Sequence, residues 1–250
     1  MDLRKVFDSI PEDFDKWRPR YCDELFDDII RRSDLNTGRT VLEIGPGTGQ
    51  ATEPILKTGC SYTAIELGEH LAEYTKNKFK TYSNFQIVNA DFEKYDFGNR
   101  KFGLVYSAAT IQWIPEAICF PKVYDLLKNS ETFAMIFISP DHKTPNEALF
   151  QRMQEVYAKY FHPETEYTCS VTPGNVSKYG FVDFECRKYY KTREYNADDY
   201  ISLINTYVGH IELKEPHKSQ LYDGIKEAIL SFGNRITLYD TMELYTARKM

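Results

Sequence analysis

The stretch "VLEIGPGTGQ", Val41 to Gln50, joins a β-branched apolar run to a polar segment with helical spacing. Glycine stands at every second position in it, at Gly45, Gly47 and Gly49. "RTVLEI" before the glycines reads as a buried strand, and "QATEPILKTG" after them as a helix closed by Gly59. A glycine turn between a first strand and a helix brings bare backbone close to a ligand. A dinucleotide site asks for G-x-G-x-x-G, with its pyrophosphate on the helix N-terminus. Here the third glycine of that pattern is Gln50, and the pattern present is E-x-G-x-G-x-G, from Glu43 to Gly49. A carboxylate beside a pyrophosphate has the wrong sign.

Outward from this turn the alternation continues. "SYTAIE", "NFQIVNA", "KFGLVYSAA" and "ETFAMIFIS" read as strands, and "GEHLAEYTKNKFK" and "PEAICFPKVYDLLKN" as helices. Strands alternating with helices predict an α/β fold, a doubly wound and mostly parallel sheet. Upstream, a helix is expected from about Tyr21 to Arg32. The rhythm breaks after Pro140, and a less regular insertion is expected between roughly Asp141 and Gly180. It starts with the longer helix "NEALFQRMQEVYAKYF" and continues into the Pro/Gly/Thr-rich "CSVTPGNVSKYG". "FECRKYYKTREY" then reads as a strand, with "NADDYISLINTYVGH" and "PHKSQLYDGIKEAILSFG" as helices. "NRITLYDTMELYTARK" reads as two strand-like halves joined at "YDT".

The chain has 250 residues, 42% of them hydrophobic, enough for one large domain. The formal charge of −6, with acids and bases interspersed, argues against a nucleic-acid partner. No apolar run approaches a membrane span, and "MDLRKVFDSIPEDFDKW" lacks the apolar stretch of a secretory signal. Five scattered cysteines without a CxxC pair fit a reduced, cytoplasmic protein.

Acidic residues then recur at the carboxyl ends of the strands. Glu66 ends the second, where an acid can hold both hydroxyls of a ribose, with Leu67 next to it. Asp91 follows the third, placed to accept from an adenine amino group, and Phe92 offers a ring face to the base. This edge is where doubly wound sheets bind ligands. A nucleoside-bearing cofactor is expected, and the charge of Glu43 suits the amino group or sulfonium of S-adenosylmethionine.

With "VLEIGPGTG", Glu66, "NADFEKYDF" and "FGLVYSAATIQWIP", the chain resembles the class I S-adenosylmethionine-dependent methyltransferases from about Thr40 to Ser139. Two flanking stretches resemble the small-molecule type that includes trans-aconitate methyltransferases. "DFDKWRPRY" is similar to that family's N-terminal Tyr-x-x-x-Arg-Pro-Gly-Tyr-Pro element, with Phe14, Arg20 and Cys22 departing from it. "EYNADDYISLINTYVGH" and the terminal "NRITLYDTMELYTARK" resemble its C-terminal helix and antiparallel strand pair.

The resemblance implies a seven-stranded Rossmann-like sheet in a single domain over 1–250. It divides into an N-terminal helical cap at 1–35, a cofactor-binding core at 36–140, a helical acceptor-site lid at 141–183 and 196–231, and C-terminal strands at 184–195 and 232–250. S-adenosylmethionine is the implied cofactor and S-adenosylhomocysteine its product. Glu43, Gly45, Gly47 and Gly49 are expected at the methionine part, Glu66 at the ribose, and Asp91 and Phe92 at the adenine. Ser107, Arg18 and Tyr21 complete the expected cofactor set.

Gln112, Trp113 and Tyr207 are the expected acceptor-site residues, and His142, His210 and Tyr207 the candidates for a general base. The fourth strand is not followed by the Asn/Asp-Pro-Pro-Tyr/Phe sequence with which amino-methylating DNA enzymes grip a base. No set of oxygen, His or Cys ligands suggests a metal. The expected reaction is therefore metal-independent methylation of an oxygen or nitrogen of a small molecule, with no nucleic-acid or membrane partner, by a monomer or homodimer. A non-catalytic cofactor-binding module and a nicotinamide-dependent oxidoreductase stand as alternatives.

Overall fold

The computed structural model describes residues 2–163 and 169–250, and the chain divides into two compact units. The larger comprises Pro19–Ile138, Thr168–Tyr189 and Met242–Met250, and the smaller Met1–Arg18, Ser139–Tyr167 and Tyr190–Thr241.

A seven-stranded sheet of order β3-β2-β1-β4-β5-β7-β6 has β1 to β4 and most of β5, β6 and β7 in the larger unit. Its strands are β1 (Thr40–Ile44), β2 (Ser61–Glu66), β3 (Phe85–Asn89), β4 (Phe102–Ala108), β5 (Leu127–Asp141), β6 (Phe181–Tyr195) and β7 (Ile236–Lys249). The first five pair in parallel, with Ile44 beside Ile65, Glu66 beside Asn89 and Ala108 beside Ile136. The C-terminal strands are antiparallel, so the expected doubly wound sheet and its strand pair are both present. Alternation along the strands separates two cores. Leu42, Ile44, Val105, Phe133 and Met135 belong to one, and Val41, Leu104, Tyr106, Ala134 and Ile136 to the other. Period-two patterning on strands buried on both faces has this consequence.

Four helices of this unit follow from their sequences. α2 (Asp23–Arg32) opens on Asp23 and Glu24 and closes on Arg31 and Arg32, charges that suit the helix dipole, and it buries Leu25, Phe26 and Ile29. α3 (Thr52–Leu56) follows the glycine turn, and α4 (Glu69–Lys78) buries Leu71, Ala72 and Thr75. α5 (Glu116–Leu126) starts after Pro115 and carries Pro121 inside it.

The smaller unit holds α1 (Pro11–Trp17), α6 (Glu147–Tyr160), α7 (Ala197–Ile204), α8 (Val208–Ile211) and α9 (His217–Ser231). Asn146 and Asn196 cap α6 and α7 by accepting from Leu149 and Asp199 N–H at 3.0 and 2.9 Å. Its core joins Leu149, Met153, Tyr200, Leu203, Leu221, Ile225 and Ile229.

Two elements differ from the sequence expectation. "NADDYISLINTYVGH" is two helices, α7 and α8, rather than one. The two halves around "YDT" are one strand, β7, because Asp240 is fully buried against Arg193 of β6 instead of turning the chain. The Arg193 Nη2 donates to Asp240 Oδ1 at 2.7 Å, and Nε donates to Oδ2. No helix among the described residues is long and apolar enough to cross a membrane.

Candidate active site

The ends of β1, β2 and β4 meet at the glycine turn, where all three glycines take left-handed angles, φ +66°, +58° and +83° for Gly45, Gly47 and Gly49. A β-carbon on Gly45 would lie 2.2 Å from Thr110 Cγ2, and one on Gly49 2.4 Å from Phe79 Cε2. At these two positions the close approach is made by the protein itself. The turn's N–H groups are also used internally. Gly45 donates to Ile65 O at 2.9 Å, Gly49 to Pro46 O at 2.9 Å, and Gly47 to Glu66 Oε2 at 3.0 Å. A turn whose donors are spent in this way is not a pyrophosphate cradle. Two α4 side chains fix its outer carbonyls, Thr75 Oγ1 donating to Gly47 O at 2.6 Å and Lys78 Nζ to Thr48 O at 3.0 Å.

Glu66 is buried and spans two turns, because its other oxygen accepts from Gly68 N–H at 3.0 Å. These two backbone contacts orient its carboxylate. Asn89 Nδ2 donates to Glu66 O at 3.0 Å and Leu67 O at 3.3 Å, tying the ends of β2 and β3 together.

Glu43 lies deeper, 1% exposed, on the central strand. Its Oε2 accepts from Thr52 Oγ1 and from Tyr62 OH, both at 2.6 Å, and the Tyr62 and Tyr106 hydroxyls are hydrogen-bonded to each other. Oε1 is buried and has no partner among the described residues. Burial pushes the carboxyl pKa up to about 7, and the neighbouring Glu66 adds to the rise.

Asp91 opens a tight turn, its Oδ1 accepting from Glu93 N–H at 3.0 Å. Phe92 is buried in the core beside Phe97, under the Lys122 ammonium, so its ring is a packing group. Ser107 donates to Ile44 O at 2.9 Å and joins β4 to the end of β1. Tyr21 meets Phe26 edge-on and packs on the core.

Beyond β4 the chain turns at Ala109, a non-glycine residue at φ +52°. Thr110 donates to Gly45 O at 2.8 Å and starts a 3-10 turn, Ile111–Trp113. Gln112 and Trp113 are thereby fixed next to the glycine turn.

The remaining candidates belong to the smaller unit. The Arg18 guanidinium lies over the Tyr207 ring at 5.2 Å and over Phe14 at 5.1 Å. His210 is 4% exposed among Tyr157, Phe161, Tyr207 and Tyr222, with Nε2 3.2 Å from Tyr157 OH. Burial pulls its pKa down to about 3, so it is neutral and only weakly basic at pH 7. Burial, and then the Arg193 charge, lower His142 as well, while burial raises the Tyr207 phenol.

Sequence reasoning missed Thr110, Phe79, Thr75 and Lys78, which shape the turn, and Tyr62 and Tyr106, which hold Glu43. A signal existed for the last pair. A buried strand with an acid at its centre needs hydroxyl or N–H donors beside it, and Tyr106 is the register partner of Glu43.

Comparison with known proteins bears on the acceptor. The family model described as ribosomal RNA adenine dimethylase matches residues 23–144, from α2 through β5. The chain is 27% identical over 244 residues to the rRNA adenine N-6-methyltransferase of Limosilactobacillus reuteri, covering 89% of this chain and 91% of that one. It is 31% identical over 114 residues to the ribosomal RNA small subunit methyltransferase A of Clostridium acetobutylicum, but that match spans 46% of this chain and only 41% of the relative. Solved structures agree on the fold. Phosphoethanolamine N-methyltransferase 2 of Haemonchus contortus superposes at TM-score 0.59 and 15% identity, over 100% of this chain and 60% of that one. The YcgJ protein of Bacillus subtilis does so at 0.60 and 12%, over 90% and 98%.

The chain is an S-adenosylmethionine-dependent methyltransferase, and S-adenosylmethionine is its cofactor. That removes the non-catalytic and oxidoreductase alternatives. The resemblance to the small-molecule type is corrected, because the matching family model and sequence relatives are rRNA adenine methyltransferases. The small-molecule acceptor and the exclusion of nucleic acid are corrected with it. Net charge was a poor guide because it averages the whole surface, whereas an enzyme meets its substrate over one patch. The missing Asn/Asp-Pro-Pro-Tyr/Phe sequence removes one way of gripping an amino nitrogen, not the chemistry.

Proposed function

We propose that this enzyme methylates the exocyclic N6 amino group of adenine in RNA, with ribosomal RNA as the substrate. The observation that carries the reading is the similarity to an rRNA adenine N-6-methyltransferase along nearly the whole of both chains. The family-model match agrees with it and covers the parallel sheet, the glycine turn and the residues after β4. A cytoplasmic location, where ribosomes are, fits this reading.

Bound S-adenosylmethionine supplies an electrophilic methyl, whose bond to sulfur breaks as the bond to nitrogen forms, sulfur keeping the electron pair and the nitrogen shedding a proton to water. The residues of this chain bind and orient. Glu66, fixed by Gly47 and Gly68 N–H, accepts from the ribose hydroxyls. Asp91 accepts from the cofactor's adenine amino group, while Phe92 supports that turn from the core. Glu43 supplies a buried acid behind the glycine turn, with one oxygen free of protein donors among the described residues. Positioning and desolvation of this kind are the main contributions a protein makes to an in-line displacement.

Transfer of a labelled methyl group tests the reading. With methyl-tritiated S-adenosylmethionine, ribosomal RNA lacking the modification should acquire acid-precipitable label, and a metabolite extract should acquire none. Label in the extract and none in RNA would contradict it.

A further inference from the structure

We propose that Thr75 is a positioning residue for the cofactor. Its hydroxyl holds the Gly47 carbonyl and so pre-shapes the part of the glycine turn that meets the methionine end of S-adenosylmethionine. The inference rests on the placement of the cofactor proposed above and is independent of the acceptor.

α4 buries Leu71, Ala72 and Thr75 on one face, so a polar side chain stands in an apolar stripe. Thr75 is fully buried, and a buried hydroxyl needs an acceptor. A helical threonine ordinarily finds one in the preceding turn of its own helix. A hydroxyl has one proton to give, and that of Thr75 leaves the helix for Gly47 O at 2.6 Å. The partner lies 28 positions upstream, in the turn after β1.

Gly47 is a residue that such a bond can order. It stands at φ +58° with no side chain to pack, and it is half-buried where Thr48 and Gly49 are buried. Glycine loses more conformational freedom on ordering than any other residue, so a loose Gly47 would have to be ordered at each binding event. Hydrogen bonds on both sides remove that cost beforehand. Gly47 N–H donates to Glu66 Oε2 at 3.0 Å, and Gly47 O accepts from Thr75. Lys78 Nζ holds the next carbonyl, Thr48 O, at 3.0 Å, but from an exposed residue. A long side chain at the surface keeps more rotamer freedom than an enclosed threonine, and is the softer restraint.

The two ends of the cofactor depend on Thr75 unequally. Glu66, proposed above for the ribose, is also fixed by Gly68 N–H at 3.0 Å, a bond that Thr75 does not touch. Asp91 sits in its own turn, where it accepts from Glu93 N–H at 3.0 Å. The nucleoside end therefore keeps its anchors when the Thr75 hydroxyl is removed. The amino-acid end, placed on the glycines, loses one.

The test is calorimetry on the full chain with two probes, S-adenosylhomocysteine and 5′-methylthioadenosine. The second has the nucleoside and the sulfur but no amino-acid end. Thr75→Val keeps the shape and removes the donor. It should weaken S-adenosylhomocysteine roughly 2- to 12-fold, the range of one hydrogen bond, and change 5′-methylthioadenosine by less than about twofold. Thr75→Ser keeps the hydroxyl and should bring S-adenosylhomocysteine affinity back to near the wild-type value. Unchanged S-adenosylhomocysteine affinity in Thr75→Val, whatever its melting temperature, would overturn the inference. So would an equal loss for both probes, or a loss shared by Thr75→Ser, because each marks a general loosening of the fold. Glu66→Ala separates the premise from the inference, since it should weaken both probes. A Glu66→Ala variant that binds 5′-methylthioadenosine as wild type does would overturn the cofactor placement itself.

Discussion

Glu43 stands on the central strand with its carboxyl among three hydroxyls, Thr52, Tyr62 and Tyr106, and its pKa is raised from 4.5 to about 7 by burial. The fold therefore holds a proton that the unfolded chain releases. The stability this contributes is complete below about pH 4.5 and is lost as pH rises through about 7. The difference of 7 − 4.5 corresponds to about 3 kcal/mol. Gln cannot ionise, so in urea unfolding the stability of Glu43→Gln relative to wild type should rise by about that amount between pH 4 and pH 8. Parallel pH profiles for the two proteins would show that the carboxyl titrates normally. Residues of this kind were only half legible in the sequence. Glu43 and Glu66 stood out because acids at the ends of apolar strands are conspicuous. Thr110 and Phe79, which make Gly45 and Gly49 obligatory, lie 65 and 30 positions away (110 − 45 and 79 − 49), and only the folded chain brings them there.

Among the elements, the alternation of strands and helices from β1 to β5 was readable, because periods of two and 3.6 are local properties of the chain. β7 was not. "YDT" has turn chemistry, and tertiary structure overrides it by burying Asp240 against Arg193. The pair is 0% and 10% exposed, so removing one partner leaves the other charged and out of water. Asp240→Ala should cost about 3–5 kcal/mol in chemical denaturation. A loss below about 1 kcal/mol would mean the pair behaves like a surface ion pair and that β7 is continuous for another reason. The division between α7 and α8 has the same character. Leu203 and Ile204 are buried before the chain leaves the helix at Asn205, and no glycine or proline marks the break.

For the whole molecule, the cofactor was legible and the acceptor was not. The glycine turn and the acids along one sheet edge form a pattern that spacing alone exposes. The acceptor is chosen by turns and insertions, which carry no periodicity. A formal charge of −6 pointed away from RNA, yet the matching family model and the sequence relatives named above are rRNA methyltransferases. The claim that joins these observations is that one cofactor edge serves an adenine amino group. It is tested most directly by identifying the methylated nucleoside. Unmodified ribosomal RNA is incubated with the enzyme and deuteromethyl-labelled S-adenosylmethionine, digested to nucleosides and analysed by mass spectrometry. The account predicts label in N6-methyladenosine or N6,N6-dimethyladenosine. Label in any other nucleoside, or in none, would contradict it.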